Sequence, residues 1–220
     1  IATRQYGADV RLVGTNFDEA YAASKKQQLL TGATFVHPFD DLAIIEGQAT
    51  VAMEMLQQCP DLDTIIVPTG GGGLLAGTAL AVKLIRPSVR VIGVQAQVTS
   101  PIAAIFRDTN LFSNTFLPTM AEGINVRVPG KLPTKIIQAY VDDVITVTEE
   151  EIASSILFML EREKMLVEGA GAAAVAVALH HHLPSTSPST GVIVSGGNYD
   201  IGKLDECLKT ATGIVVASSF

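Results

Sequence analysis

Four consecutive glycines form the segment of this sequence whose composition is best suited to binding a ligand. They are Gly70, Gly71, Gly72 and Gly73, and Leu74 begins a helical pattern directly after them. Glycine allows a close turn in which successive backbone N–H groups face one point, and the positive end of the following helix attracts an anion. The segment therefore predicts a phosphate-binding loop, with a merely tight turn as the alternative.

The residues that follow the four glycines indicate which classes of phosphate-containing ligand the loop could bind. A nucleoside-triphosphate loop would carry a lysine after the glycines, and none follows here. The spacing of Gly71, Gly73 and Ala76 does match the loose dinucleotide pattern G-x-G-x-x-A. That pattern also requires an acidic residue at the end of the next strand, where this chain has Gln-Ala-Gln at residues 95–97. An NAD-type site therefore remains only an alternative.

A second glycine-containing segment, Ser195-Gly196-Gly197-Asn198, follows the last predicted strand. We interpret Ser195 as a neutral hydroxyl that faces a bound heterocycle. The alternative is a flexible turn in which Asn198 or Asp200 caps the closing helix.

The elements that must position these segments alternate between apolar strands and helices. This alternation predicts an α/β fold in which helices cover both faces of a parallel sheet. Loops that follow such strands meet at one edge, so both glycine segments are expected there. The predicted strands are Val10–Val13, Thr34–Val36, Thr64–Pro68, Arg90–Val94, Val144–Val147 and Val192–Val194. The predicted helices are one that Asn16 caps and Gly32 stops, residues 45–58, residues 74–85, a helix from a Thr148/Glu151 capping box to Lys164, residues 168–182, and one capped by Asp200. Residues 107–133 are predicted to be mainly loop with short helical pieces.

Composition and charge exclude several classes of partner. The 220 residues carry 15 basic and 22 acidic side chains, for a net charge of -7, so nucleic acid is not an expected partner. The apolar runs are too short to cross a membrane, which needs ~20 residues. Cys59 and Cys207 lie far apart and are expected to be free thiols, which suits a reducing compartment such as the cytoplasm.

The two glycine segments stand in a set of motifs that resembles the fold-type II pyridoxal-phosphate enzymes, in particular the threonine dehydratases (threonine ammonia-lyases), serine racemases and serine dehydratases. The resemblance implies a tryptophan synthase β-like architecture and a homo-oligomer. It also implies that residues 1–36 end a small cofactor-covering domain and that residues 37–220 form the large domain that binds pyridoxal 5'-phosphate. The matching segments, in family order, are Phe35–Asp41, Ile45–Thr50, Val67–Gly73, Glu122–Val126, Val141–Asp143, Val167–Ala172 and Ser195–Asn198.

The resemblance assigns roles to particular residues. Residues 70–73 and Leu74 are implied to bind the cofactor phosphate through backbone N–H groups, and Ser195 to bond the pyridine nitrogen. Gly123 and Glu168 match positions that line the cofactor ring, although Glu168 is equally explained as a carboxylate at a helix start. A serine hydroxyl does not protonate the ring as an aspartate would, which favours β-elimination over transamination.

The sequence departs from the family pattern in its lysines. The family's Schiff-base lysine lies in a Ser-x-Lys-x-Arg motif upstream of the matched segments, and no such motif occurs here. We therefore assign no catalytic residue, expect the fold to be incomplete at the N-terminus, where Ile1 stands instead of Met, and expect this chain alone to be catalytically silent. The lysines present are Lys25, Lys26, Lys83, Lys131, Lys135, Lys164, Lys203 and Lys209.

No metal site is expected. Gln95 stands where metal-responsive relatives of the resembled family carry a glutamate ligand. The three consecutive histidines, His180, His181 and His182, cannot share one helix face and are interpreted as the basic last turn of a helix.

The activity implied is the dehydration and deamination of L-threonine or L-serine to a 2-keto acid and ammonia, with pyridoxal 5'-phosphate as cofactor. The alternatives are a serine racemase, another hydroxyamino-acid lyase, and a chain without the lysine that has no activity of its own.

Overall fold

A computed structural model describes residues 2–15, 17–109, 117–180, 183 and 189–211 of the chain. The chain divides into two units, Ile1–His37 and Pro38–Phe220. None of the described helices is both long and apolar enough to cross a membrane.

The first unit contains the helices α1 (Ala2–Gln5) and α2 (Phe17–Thr31). Gly32 ends α2 as predicted: its φ is +71° and its N–H donates to the Gln28 carbonyl at 2.9 Å. The two strands predicted in this unit are wrong, since residues 8–13 and 32–37 have no regular secondary structure. A strand forms only when a partner satisfies its backbone, and this unit offers none among its described residues. The predicted cap Asn16 lies outside the described residues.

The second unit contains a parallel sheet of four described strands in the order β3-β2-β1-β4. In this sheet Pro68 pairs with Val94, and Ile66 pairs with both Ile92 and Val192. Because β1 lies between two neighbours and under helices on both faces, all its residues are buried. The strands are β1 (Thr64–Pro68), β2 (Arg90–Ala96), β3 (Asp143–Val147) and β4 (Thr190–Val192).

Alternate residues of β1 enter two separate hydrophobic cores, one on each face of the sheet. Ile65 and Val67 pack into the first core and Ile66 into the second, as the period of two in a strand requires. The prediction of helices on both faces is therefore confirmed. Packed on the first face are α3 (Leu42–Gln58), α4 (Gly73–Ile85), α5 (Pro101–Phe106) and α6 (Lys131–Tyr140), and on the second α7 (Glu149–Phe158), α8 (Gly169–Leu179) and α9 (Leu204–Ala211).

Local capping signals predicted several helix boundaries correctly. The Thr148 hydroxyl accepts from the Glu151 N–H at 3.3 Å, while the Glu151 carboxylate accepts from the Thr148 N–H at 2.8 Å. Asp200 caps a short 3-10 turn that leads into α9. Past Phe158, a π-helical turn continues α7 to Glu163, and Lys164 ends it with a φ of +58°.

Candidate functional site

The glycine loop, residues 69–73, joins the central strand β1 to α4. The Thr69 N–H donates to the Val94 carbonyl at 2.8 Å, so the start of the loop is held on the neighbouring strand β2. Gly72 has a φ of +98°, a conformation that side chains strongly disfavour, and it stands as the N-cap of α4 without a side-chain capping bond. The loop therefore turns into the helix with the helix N-terminus uncapped.

The N–H groups of this loop are available to a ligand. Within the described part of the chain, no acceptor bonds the N–H of Gly70, Gly71 or Gly72. The N–H groups of Gly73 and Leu74 belong to the first turn of α4, where no partner exists inside the helix. Five consecutive donors at a helix N-terminus form a site for an anion.

Packing also requires glycine at these positions. A Cβ atom on Gly71 would overlap the ring of Phe39, and one on Gly73 would lie 3.0 Å from the Phe39 Cα atom. A Cβ atom on Gly72 would lie 2.9 Å from Pro133 Cβ. The glycines thus allow other segments to approach the backbone closely, which sequence reasoning did not anticipate for Phe39.

Gly70, which is predicted to bind phosphate, lies in a continuous row with Gly123 and Glu168, which are predicted to line the cofactor ring. A Cβ atom on Gly70 would lie 3.1 Å from Ile124 Cα and 3.6 Å from the Gly123 carbonyl, and one on Gly123 would lie 3.3 Å from Glu168 Oε1. A Cβ atom on Gly196 would overlap that same carboxylate. The structure therefore brings the glycine loop, Gly123, Glu168 and the second glycine segment together at one edge of the sheet.

Glu168 is the N-cap residue of α8, yet its side chain makes no capping hydrogen bond. Its backbone N–H donates to the Gly196 carbonyl at 3.1 Å, and its half-buried carboxylate lies against Gly196. The carboxylate is thus directed toward the second glycine segment, which capping of α8 does not explain.

Ser195 follows β4 at the same edge of the sheet and is exposed. The chain leading to it remains on β1, because the Ile193 N–H donates to the Ile66 carbonyl at 3.0 Å. No residue in the described ranges bonds the Ser195 hydroxyl, which leaves it available to a ligand.

A cavity of about 340 Å³ adjoins this row of residues. Gly123 and Glu168 line it, together with Asn198 and Tyr199, whereas the glycine loop and Ser195 are not part of its lining. Burial raises the pKa of Tyr199 to about 12, and the nearby Cys207 contributes to the shift. The cavity is therefore a neighbour of the candidate cofactor site and does not contain all of it.

Gln95 is a structural link that sequence reasoning missed. Its side chain is fully buried. Its Nε2 donates to the Thr69 carbonyl at 3.2 Å, and its Oε1 accepts from the Ala103 N–H at 3.0 Å. The signal was a polar residue inside an apolar strand, which must find buried hydrogen-bond partners. Gln95 thus connects the glycine loop to α5.

Lys203 lines the cavity beside this site. Its ammonium group forms an ion pair and a hydrogen bond with the carboxylate of Glu122, which lines the same cavity. This hydrogen bond and the charge of Glu122 raise the pKa of Lys203. Lys83 is likewise paired, with Asp142 at 2.8 Å. A lysine amine held in an ion pair is a poor nucleophile, so neither lysine suits covalent attachment of a cofactor.

Of the three histidines, His180 lies at the end of α8 with its Nε2 atom 2.9 Å from the Ser154 hydroxyl. His181 and His182 lie outside the described residues. Among the residues that are described, no group of three or more His, Cys, Asp or Glu side chains is arranged to hold a metal ion.

Comparison with known proteins identifies related chains. The family model for "Pyridoxal-phosphate dependent enzyme" matches residues 1–196. An L-threonine ammonia-lyase of Thermotoga maritima is 43% identical over 206 residues, covering 94% of this chain and 51% of that protein. An L-threonine ammonia-lyase of Geobacter sulfurreducens is 43% identical over 219 residues, covering 100% of this chain and 54% of that protein. The chain thus spans about half the length of these curated relatives.

Solved structures show the same fold. Maize serine racemase superposes with a TM-score of 0.84 at 33% identity, covering 96% of this chain and 65% of that one. The processed form of threonine deaminase isoform 2 from Solanum lycopersicum superposes with a TM-score of 0.87 at 28% identity, covering 97% of this chain and 59% of that one.

Proposed function

Because the chain belongs to the family of pyridoxal-phosphate dependent enzymes, we propose that its 220 residues form the cofactor-binding part of an enzyme that dehydrates and deaminates L-threonine or L-serine, with a 2-keto acid and ammonia as the net products. The observation that carries the proposal is the glycine loop, whose N–H groups lack acceptors in the described chain and stand at an uncapped helix N-terminus. The names of the relatives, L-threonine ammonia-lyases at 43% identity, support the choice of reaction.

The residues present fit the phosphate group of this cofactor. Residues 70–73 and Leu74 supply neutral backbone donors, and the first turn of α4 adds a positive potential. Gly70 leaves room beside Gly123, where a side chain would meet Ile124. This combination of space, donors and potential favours a phosphate dianion.

The remaining site residues would hold and orient the cofactor ring. Ser195 would bond the pyridine nitrogen without transferring a full positive charge to it, while Gly123 and Glu168 would lie beside the ring. When bound, the cofactor supplies an electron sink that labilises the substrate Cα proton and allows the β-hydroxyl to leave. We assign no residue of this chain as the amine that attaches the cofactor or moves that proton.

The proposal extends to organisation and setting. The division of the chain after His37 supports a small domain over residues 1–36 and a large domain over 37–220. Both cysteines are free, which supports the cytoplasm as the compartment. Exposed apolar side chains at the end of α4, with Leu84 at 82% and Ile85 at 53%, support a homo-oligomer.

Ligand titration tests the cofactor assignment. We expect pyridoxal 5'-phosphate to bind the 220-residue chain, inorganic phosphate to compete with it, and pyridoxal, which lacks the phosphate, to bind about 100-fold more weakly. Equal affinity for pyridoxal and its phosphate would contradict the assignment of the glycine loop.

The reaction is tested on the whole enzyme of which this chain would form the cofactor-binding part, by supplying L-threonine or L-serine and following 2-ketobutyrate, pyruvate and D-serine. The elimination predicts keto acids, whereas D-serine would favour the alternative supported by the likeness to maize serine racemase. We expect no turnover from this chain of verified intact mass, because none of its lysines stands in the required motif. Turnover would show that another lysine performs the chemistry.

A further inference from the structure

Asp40 caps a helix that begins far away in the sequence. Its Oδ2 accepts from the Lys131 N–H at 3.0 Å and its Oδ1 accepts from the Leu132 N–H at 2.9 Å, across 91 and 92 residues. The N-cap residue of α6 is Gly130, which has no side chain to perform this task. The first turn of α6 therefore depends on a carboxylate from the segment before α3.

The segment that Asp40 caps is bonded to the glycine loop. The Gly130 N–H donates to the Gly71 carbonyl at 3.0 Å. Phe39, the neighbour of Asp40, has its ring against Gly71, and Pro133 lies against Gly72. Three segments distant in sequence thus meet at the Gly71–Gly72 peptide.

The bond to Gly71 fixes the direction of one donor of the loop. A trans peptide is planar, so its N–H points opposite to its carbonyl. The Gly71 carbonyl faces Gly130, and the Gly72 N–H of the same peptide must therefore point away from Gly130. If α6 shifted, this peptide would lose the contact that selects its orientation.

We propose that Asp40 is a positioning residue for anion binding: by capping α6 it holds Gly130 on the Gly71 carbonyl and so orients the glycine loop. The inference rests on the proposed function in that the anion is the cofactor phosphate. The competing explanation is that Asp40 only stabilises α6, as any helix cap does.

Asp41 provides a matched control on the adjacent residue. Its Oδ1 accepts from the Ala43 N–H at 2.8 Å, so it caps its own helix α3, and within the described ranges it does not bond to α6 or to the glycine loop. Asp40→Ala and Asp41→Ala each remove one aspartate cap. Asp40→Asn retains one acceptor oxygen and serves as the conservative variant.

The first measurement is the affinity of each chain for inorganic phosphate, pyridoxal 5'-phosphate and pyridoxal. We expect Asp40→Ala to weaken binding of phosphate and of pyridoxal 5'-phosphate by about tenfold, with a smaller loss in Asp40→Asn. Asp41→Ala should leave both affinities unchanged, and pyridoxal should bind all variants alike. Equal phosphate affinity in Asp40→Ala, Asp41→Ala and the unmodified chain would overturn the proposal.

Amide hydrogen exchange tests the link from Asp40 to the glycine loop without a bound ligand, so its result does not depend on whether the proposed function is correct. Asp40→Ala should speed exchange at the Gly130 N–H and change its rate over residues 70–74, whereas Asp41→Ala should affect only the start of α3. Failure of the unmodified chain to bind phosphate would contradict the proposed function, while the exchange result still decides the link from Asp40 to the loop. Unaltered exchange at residue 130 and over 70–74 in both Asp40 variants would overturn that link, and Asp40→Asn decides it if Asp40→Ala does not fold.

Discussion

The two glycine segments occupy equivalent places in the fold but differ in how firmly they are held. Each follows a parallel strand at the same edge of the sheet. Gly71, Gly72 and Gly73 are buried, and the loop is bonded through Thr69 to β2 and through the Gly71 carbonyl to Gly130. Ser195 is exposed, and its segment is held through the bond from the Glu168 N–H to the Gly196 carbonyl.

Position in the sheet explains this difference. The glycine loop follows β1, which has β2 on one side and β4 on the other. The end of β2 supplies the Val94 carbonyl and the Gln95 side chain to Thr69. The second segment follows β4, the last of the described strands in the sheet order, which has fewer backbone groups beside it. The segment after the central strand, where we propose the phosphate site, is therefore held by more bonds than the segment after β4, where we propose the contact to the cofactor ring.

The largest expected effect is that of Gly71→Val. The new side chain would overlap the Phe39 ring, so we expect about 1–3 kcal/mol of destabilisation and a loss of about 100-fold in affinity for pyridoxal 5'-phosphate. Gly197→Val is the matched control in the second segment, since among the described residues a Cβ atom there would have the Leu166 carbonyl, at 3.3 Å, as its one close neighbour. Denaturant unfolding and ligand titration measure both. Equal effects at the two positions would remove the contrast between the segments.

The next effect is that of Gln95→Leu, which tests the bond that holds the glycine loop. It leaves the Thr69 carbonyl and the Ala103 N–H without their buried partner, which should reduce the free energy of unfolding by about 3 kcal/mol. The same substitution at the exposed Gln97 is the control and should change stability by less than about 0.5 kcal/mol. A stability loss no greater than that of Gln97→Leu would show that Gln95 does not hold the loop.

A smaller effect on stability, with a clear effect on binding, is expected for Ser195→Ala. Because the residue is exposed, the free energy of unfolding should change by less than about 0.5 kcal/mol. Loss of the bond to the pyridine nitrogen should weaken pyridoxal and pyridoxal 5'-phosphate alike by about tenfold and leave inorganic phosphate unaffected. A selective loss of phosphate affinity would instead place Ser195 at the phosphate.

The smallest effect concerns Tyr199, which lies just beyond the second segment. Burial raises its pKa from 10.0 to about 12 in the folded chain. The folded state therefore holds this proton more tightly than the unfolded state, and the contribution to stability is complete below pH 10 and disappears as pH rises to about 12.

Ultraviolet titration of tyrosinate and unfolding at alkaline pH check this expectation. Tyr199→Phe should remove the transition near pH 12 and reduce the alkaline loss of stability. Tyr6→Phe is the control, because Tyr6 is 90% exposed. Titration of Tyr199 at the ordinary tyrosine pKa of 10.0 would show that its hydroxyl is not buried in solution as it is in the structure.

Local patterns were sufficient where a residue acts on its own neighbours. The capping box of Thr148 and Glu151, the end of α2 at Gly32 and the apolar run of β1 were all predicted correctly. Each depends on contacts within a few residues or on burial that an apolar run itself indicates. The motif order along the chain likewise identified the family, and the α/β fold followed from the alternation of strands and helices.

The same patterns were wrong for Val10–Val13 and Thr34–Val36, where an apolar run was not enough. A strand needs backbone partners from another strand, and the described residues of the first unit contain none. Whether an apolar run forms a strand therefore depends on its tertiary surroundings. A helix cap depends mainly on residues nearby in the sequence, so it is easier to predict.

By itself, the sequence determined the family, the α/β alternation and the glycine loop with its flexible backbone. Only the tertiary structure decided that Phe39 covers Gly71, that Gln95 connects Thr69 to α5, and that Asp40 caps α6. Those contacts join residues up to 92 positions apart, as in the bond from the Leu132 N–H to Asp40. They follow from the packing of helices on the sheet, which places such residues side by side and has no signature in the spacing of residues along the chain.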